Sequence, residues 1–146
     1  MSHDPATATA HARRLTILTE RLTVRLESET TAFAERRPHD VAAGLAQTQD
    51  LANHYRRESA QLKANPAVLA AAPASERIIL IRATERFETV LARHARAVEA
   101  ARVISEGLVQ TIAREVAAAR ALGTGYGASG LAAAGDSRAV TLNRSA

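Results

Sequence analysis

The sequence contains no cysteine and no tryptophan, and aromatic residues make up only 3% of it. The lack of cysteine excludes disulfide bonds, thiolate nucleophiles and cysteine-bound zinc, and it is compatible with a reducing cytosol. With so few aromatic residues, the hydrophobic core has to be built from alanine, leucine, isoleucine and valine. Such small side chains suit helices packed side by side, because they let the helix axes approach closely.

Long hydrophobic runs are also missing from the sequence. The longest run of small apolar residues, PAVLAAAPA, is short and bracketed by prolines, whereas a membrane-spanning helix needs about 20 apolar residues. The N-terminus, MSHDPATATAHARR, lacks the apolar region of a secretory signal peptide. We therefore expect a soluble, cytoplasmic protein that does not insert into a membrane.

Positive charge is in excess but is not concentrated in one place. The chain has 19 basic and 15 acidic residues, and the arginines are dispersed among glutamates, as in ERFETVLARHARAVEAAR. This pattern is typical of solvated helix surfaces with i,i+4 ion pairs, whereas nucleic-acid binding favours a clustered basic stripe. We predict that nucleic acid is not a partner.

Prolines divide the chain into helical segments, because a proline inside a helix costs about 3 kcal/mol. They stand at positions 5, 38, 66 and 73, and none follows. Apolar residues recur every three or four positions in each segment, as at Leu15, Leu18, Leu22 and Leu26. The predicted helices cover about 9–37, 39–65 and 75–122. The predicted fold class is all-α, an antiparallel three-helix bundle or coiled coil with a long C-terminal helix.

The predicted bundle spans residues 1–122, and residues 123–146 are predicted to form a flexible glycine-rich tail. The tail has five glycines and no periodicity, and Gly123 favours a helix end. Its one tyrosine, Tyr126, is flanked by Leu122 and Leu131. We consider these three residues a candidate anchor for a partner protein. The alternative is an incidental aromatic residue in a loose tail.

The predicted third helix is much longer than its companions. At 1.5 Å per residue, the second helix is roughly 40 Å long and the third roughly 70 Å. With short connections, the end of the third helix, from Ile104 to Leu122, then has no internal partner. Its apolar residues, which continue the stripe that begins at Leu80, are expected to form a contact site for another protein.

Catalytic and metal-binding patterns are not found. No two histidines have the i,i+3 or i,i+4 spacing of a helical zinc site. His94 lies on the apolar stripe, where a hydrogen-bonded histidine at the core edge is the simplest interpretation, with a metal ligand or pH sensor as the alternative. Glu27, Glu29 and Glu35 are interpreted as surface ion-pair partners. We therefore predict that the protein is not an enzyme and holds no cofactor or metal.

Several segments together resemble a known family. They are RLTILTERLTVRLESETTAF in the first helix, LAQTQDLANHYRRESAQL in the second, the long third helix rich in alanine and arginine, and GYGASG after it. This combination resembles the FlgN type of flagellar export chaperone, a group that includes the related FlbY proteins. The sequence departs from the family at Gln49 and Asp50, where a glutamate-lysine pair is usual.

The resemblance implies a small cytoplasmic chaperone for type III flagellar export. It would bind helical terminal segments of the hook–filament junction proteins and bring them to the export gate. On this reading Ile104, Leu108, Ile112 and Val116 meet the client helix, and Tyr126 engages the export apparatus.

Two alternatives remain open from the sequence. One is a self-associating coiled-coil structural or adaptor protein, in which the unpaired end of the third helix closes a homodimer. The other is an arginine-rich nucleic-acid binder.

Overall fold

The computed structural model describes residues 4–126, and the regular secondary structure within that range is entirely α-helical. The helices are α1 (Pro5–Ala34), α2 (Pro38–Ala64), α3 (Pro66–Ala70) and α4 (Ala74–Tyr126). The predicted all-α fold class is confirmed. The chain divides into two units, Met1–Glu99 and Ala100–Ala146, with α4 contributing to both.

Helix α1 begins four residues before its predicted start. The Asp4 carboxylate caps it by accepting hydrogen bonds from the backbone N–H groups of Ala6 and Thr7, both at 3.4 Å, and Pro5 occupies the first helical position. An aspartate followed by proline is a favourable helix start, because the cap satisfies free N–H groups and proline has none to lose. The additional turn brings Ala8 into the core, in contact with α3 and the loop that follows it.

Helices α1 and α4 run parallel within the first unit. Near the start of both helices Arg13 pairs with Glu76 at 2.7 Å, and further along Glu27 accepts two hydrogen bonds of 3.0 Å from Arg86. The partner numbers rise together along the two helices, which fixes their relative direction. The hydrogen bond with Glu76 also raises the pKa of the Arg13 guanidinium.

Helix α2 is antiparallel to both of the other long helices. Arg14 of α1 pairs with Glu58 at 3.6 Å, whereas Arg25, three turns later, donates to Thr48 at 2.9 Å, so the α2 numbers fall as the α1 numbers rise. The first unit is therefore an up-down-up bundle in which α1 contacts both α2 and α4.

The hydrophobic core of this bundle is a series of small layers. In one of them Tyr55 of α2 packs on Phe87 of α4, with ring centroids 5.1 Å apart. Burial raises the pKa of Tyr55, the charge of Glu88 raises it further, and a hydrogen bond with Ser59 opposes both. The buried members of the three layers are Ala8, Ala12 and Ala72; Leu15, Leu62 and Leu80; and Leu22, Leu26, Phe87 and Val90.

Helix α1 buries threonines as well as leucines, although the leucine spacing alone predicted a single apolar stripe. Thr19 and Thr23 are fully buried. Their hydroxyls donate at 2.7 Å to the carbonyls of Leu15 and Thr19, one turn earlier, so burial leaves no polar atom unsatisfied. The reason is that α1 packs against two helices and therefore needs a buried face about twice as wide as a single stripe.

A polar layer lies beyond the hydrophobic layers and joins all three long helices. The Glu29 carboxylate of α1 is buried, with one oxygen 2.8 Å from Nε2 of His94 in α4. Its other oxygen accepts a 2.7 Å hydrogen bond from the Thr48 hydroxyl of α2. His94 is thus a hydrogen-bonded histidine at the core edge, as the sequence suggested. The interpretation of Glu29 as a surface ion-pair partner is wrong, because its carboxylate is buried between helices.

Gly44 in α2 makes room for the arginine that completes this layer. The Arg25 guanidinium donates to the Gly44 carbonyl at 2.7 Å and, through Nε, to the Thr48 hydroxyl at 2.9 Å. A Cβ at position 44 would collide with Nη2 of Arg25. The lack of a side chain at Gly44 therefore lets the Arg25 guanidinium of α1 reach the backbone of α2.

The connection between α1 and α2 is a tight turn. The N–H of Arg36 donates to the Phe33 carbonyl at 3.1 Å, and the N–H of Arg37 donates to the Ala32 carbonyl at 2.8 Å. These two bonds form a Schellman motif, which places one residue in the left-handed region. Arg36 occupies that position with φ of 59°, where glycine is usual.

Helix α4 does not end before Gly123, as the sequence suggested, but continues to Tyr126. It also passes without interruption through Gly107, where an added Cβ would meet nothing within 4 Å. Neither glycine has a positive φ. The reason is that a helical glycine costs only about 1 kcal/mol, which a long alanine-rich helix tolerates.

Replacing Arg36 by glycine should stabilise the protein. A non-glycine residue in the left-handed region costs about 1–3 kcal/mol, and glycine brings an entropic cost of about 0.5–1 kcal/mol. We expect the free energy of unfolding in urea to rise by about 1 kcal/mol. Arg21→Gly, the same change on an exposed part of α1, is the control and should lower it by about 1 kcal/mol. Equal losses in both variants would contradict the assigned turn.

Gly44→Ala and Gly107→Ala form a matched pair with opposite expected results. Gly107→Ala should raise amide protection in the surrounding helix, because alanine is favoured by about 1 kcal/mol. Gly44→Ala should instead lower the free energy of unfolding by about 1–2 kcal/mol, because losing the two Arg25 hydrogen bonds to partly buried acceptors, about 1.5 kcal/mol each, outweighs a helix-propensity gain of about 1 kcal/mol. Stabilisation by both substitutions would show that the Arg25 hydrogen bonds contribute little.

Candidate partner-binding face

The described part of the second unit is the helical segment from Ala100 to Tyr126. It lacks proline and is rich in alanine, which explains why it is helical without the support of a core. An exposed i,i+4 ion pair between Arg102 and Glu106, at 3.0 Å, adds local support. Every side chain from residue 102 to residue 123 is exposed.

One side of this segment is apolar. Ile104, Leu108, Ile112 and Val116 follow one another at intervals of four residues, so they lie on one face of the helix. Their exposed fractions range from 63% for Ile104 to 44% for Val116. Leu122 lies on the same side and is also exposed. We call these five residues the apolar face of α4.

The structure brings five of the seven predicted site residues together on this face. Tyr126 is the last residue of α4, and its side chain is not among those that the structure describes. Leu131, like the rest of the predicted tail after Tyr126, lies outside the described residues.

Two further large apolar residues of this segment are exposed and were not predicted as site residues. They are Val103 and Val109. Val103 points to the opposite side of the helix from the apolar face, because successive residues are turned by about 100°. It is therefore a natural control position for any test of the face.

The first unit has two surface depressions of its own. A shallow groove between α1 and α4 is lined by Glu20, Thr23, Ile79, Arg82, Ala83 and Arg86. An open polar depression on α2 is lined by Asp50, Asn53, His54, Arg56 and Arg57. Within residues 4–126, no three histidine or acidic side chains are grouped so that they could hold a metal ion. No helix in that range is both long enough and apolar enough to cross a membrane.

Comparison with known proteins gives one clear relationship. No protein-family profile matches the chain, and no solved structure matches it. The chain is 45% identical over 142 residues to the flagellar basal-body protein FlbY of Caulobacter vibrioides, and the alignment covers 95% of each protein. Identity at this level over nearly the full length agrees with the resemblance found in the helices and the segment after them. The chain belongs to the FlbY family of flagellar basal-body proteins.

Proposed function

We propose that this protein is a cytoplasmic chaperone of flagellar type III export, which binds helical segments of hook–filament junction proteins on the apolar face of α4. Membership of the FlbY family supports a role connected with the flagellum. The observation that carries the binding step is the row of exposed aliphatic side chains from Ile104 to Val116. A contiguous apolar row of this kind on a soluble helix favours contact with another protein.

The form of the face favours a helical client. The hydrogen bonds of an α-helix are satisfied within the helix, so α4 presents no row of backbone groups to which an extended strand could pair. Its side-chain row from Ile104 to Val116 is about 18 Å long, at 1.5 Å per residue. An amphipathic helix with its own apolar row can pack along that length by fitting ridges into grooves.

The expected affinity is moderate, which suits a carrier that must release its client. Full burial of a valine, leucine or isoleucine contributes about 1.5–3 kcal/mol, and these side chains are already partly covered by their own helix. The gain from each of the four residues of the row is therefore smaller than that range, and the client contributes a similar gain. Ordering and association costs offset much of it.

Contact with the export apparatus is assigned to Tyr126, with Leu131 beside it in sequence. This assignment rests on the family resemblance of the GYGASG segment. Binding of a client and delivery to the export gate would then use different residues of the same chain.

The double substitution Leu108→Asp and Ile112→Asp should weaken client binding at least 100-fold, because it places two carboxylates where an apolar contact is expected. Fluorescence anisotropy with labelled peptides from the helical terminal segments of the hook–filament junction proteins measures the effect, and far-UV circular dichroism checks that helicity is retained. The matched control is Val103→Asp with Gln110→Asp, which adds the same charge to the opposite side. Unchanged binding by the first variant would place the site elsewhere.

Tyr126→Ala should leave peptide affinity within twofold of that of the unmodified chain but reduce secretion of junction proteins in cells. Secretion is measured from culture supernatants, with Tyr126→Phe as the control that keeps the aromatic ring. Loss of peptide affinity in Tyr126→Ala would assign the tyrosine to client binding instead of delivery.

A further inference from the structure

We propose that two copies of the chain pair antiparallel through α4 residues 101–119, so that each copy covers the row from Ile104 to Val116 of the other. The client and the second copy would then compete for one surface. The proposal shares this surface with the proposed function, but it depends on a separate observation, the symmetry of the sequence along the face.

The apolar positions of the segment are arranged symmetrically about Gln110. Gln110 lies on the opposite side of the helix from the apolar face. Two residues that precede and follow Gln110 by the same number of positions are therefore turned by equal and opposite angles from the centre line of the face. A two-fold interface requires this self-complementarity, because each residue of one copy meets the mirror position of the other. The mirror pairs are Ala101 with Ala119, Ile104 with Val116, and Leu108 with Ile112.

Charge favours the antiparallel arrangement over the parallel one. Between residues 101 and 119, Glu115 is the one charged residue on the apolar side, and its mirror position is Ser105. In the antiparallel pair the two copies of Glu115 are about 15 Å apart along the helix. That distance exceeds the Debye length of about 8 Å at physiological salt. Parallel pairing in register would place the two carboxylates side by side at an apolar contact.

The size of the contact indicates a weak dimer. The paired segments are about 27 Å long, and two helices in contact over that length bury less than about 1,200 Å² in total, the size range of transient complexes. Small residues at both ends, Ala101 and Ala119, allow the helices to approach closely. Such a pair shields the apolar face while no client is present and yields to a client that binds more tightly.

Disulfide trapping tests both the pairing and its direction, because the chain has no cysteine of its own. Ala101→Cys and Ala119→Cys are made as separate full-length chains. In the antiparallel pair, position 101 of one copy faces position 119 of the other, whereas the two 101 positions are about 27 Å apart. We expect mild oxidation to give a covalent dimer only when the two variants are mixed.

The other outcomes overturn the proposal. Covalent dimers from each variant alone would show parallel pairing, and no dimer in any mixture would show that the face stays unpaired. Adding Leu108→Asp to both chains should abolish trapping, while Val103→Asp, on the opposite side, should leave it unchanged. The trapping experiment contains no client, so its failure would overturn the dimer and not the proposed function. A chain that binds the client peptide but gives no trapped dimer would show client binding without self-pairing.

Discussion

The arrangement of the bundle depends on one buried carboxylate. Removing a charge from water is costly unless hydrogen bonds replace those lost. Glu29 of α1 obtains its replacements from Thr48 of α2 and His94 of α4. A shift of any one of these helices by a turn would leave a buried oxygen without a partner, whereas the leucine layers would tolerate such a shift more easily. The apolar residues thus hold the helices together, and the polar layer selects their register.

Periodicity predicted the regular part of this fold. The leucines of α1 and the three- and four-residue spacing of α2 follow from the need to bury one side of a helix. The same reasoning missed the burial of Thr19 and Glu29, because a residue's neighbour on a third helix is not visible in local spacing. His94 is 65 residues from Glu29 in sequence. Asp4 and Pro5 could have been found, since their helix-start pattern is local. The end of α4 was misjudged because a single glycine is a weak helix breaker.

The candidate face was more accessible to sequence reasoning than the core was. The sequence predicts it from the length of the proline-free third helix and from the aliphatic residues near the end of that helix. Both are local properties of the sequence. Its self-complementarity about Gln110 is also written in the sequence, but it becomes meaningful only when the segment is one uninterrupted and exposed helix. Because α4 continues without a break through Gly107, these apolar residues lie on one side of a single helix and form one exposed surface.

The apolar face contains only aliphatic side chains that project from a convex helix. A convex row without a pocket has no means of recognising the shape of an individual side chain. It distinguishes ligands chiefly by the spacing of their apolar residues, so substitutions among leucine, isoleucine and valine in a bound helix are nearly equivalent. The proposed recognition would therefore be permissive, and it would allow one small protein to bind several unrelated sequences that share only their periodicity.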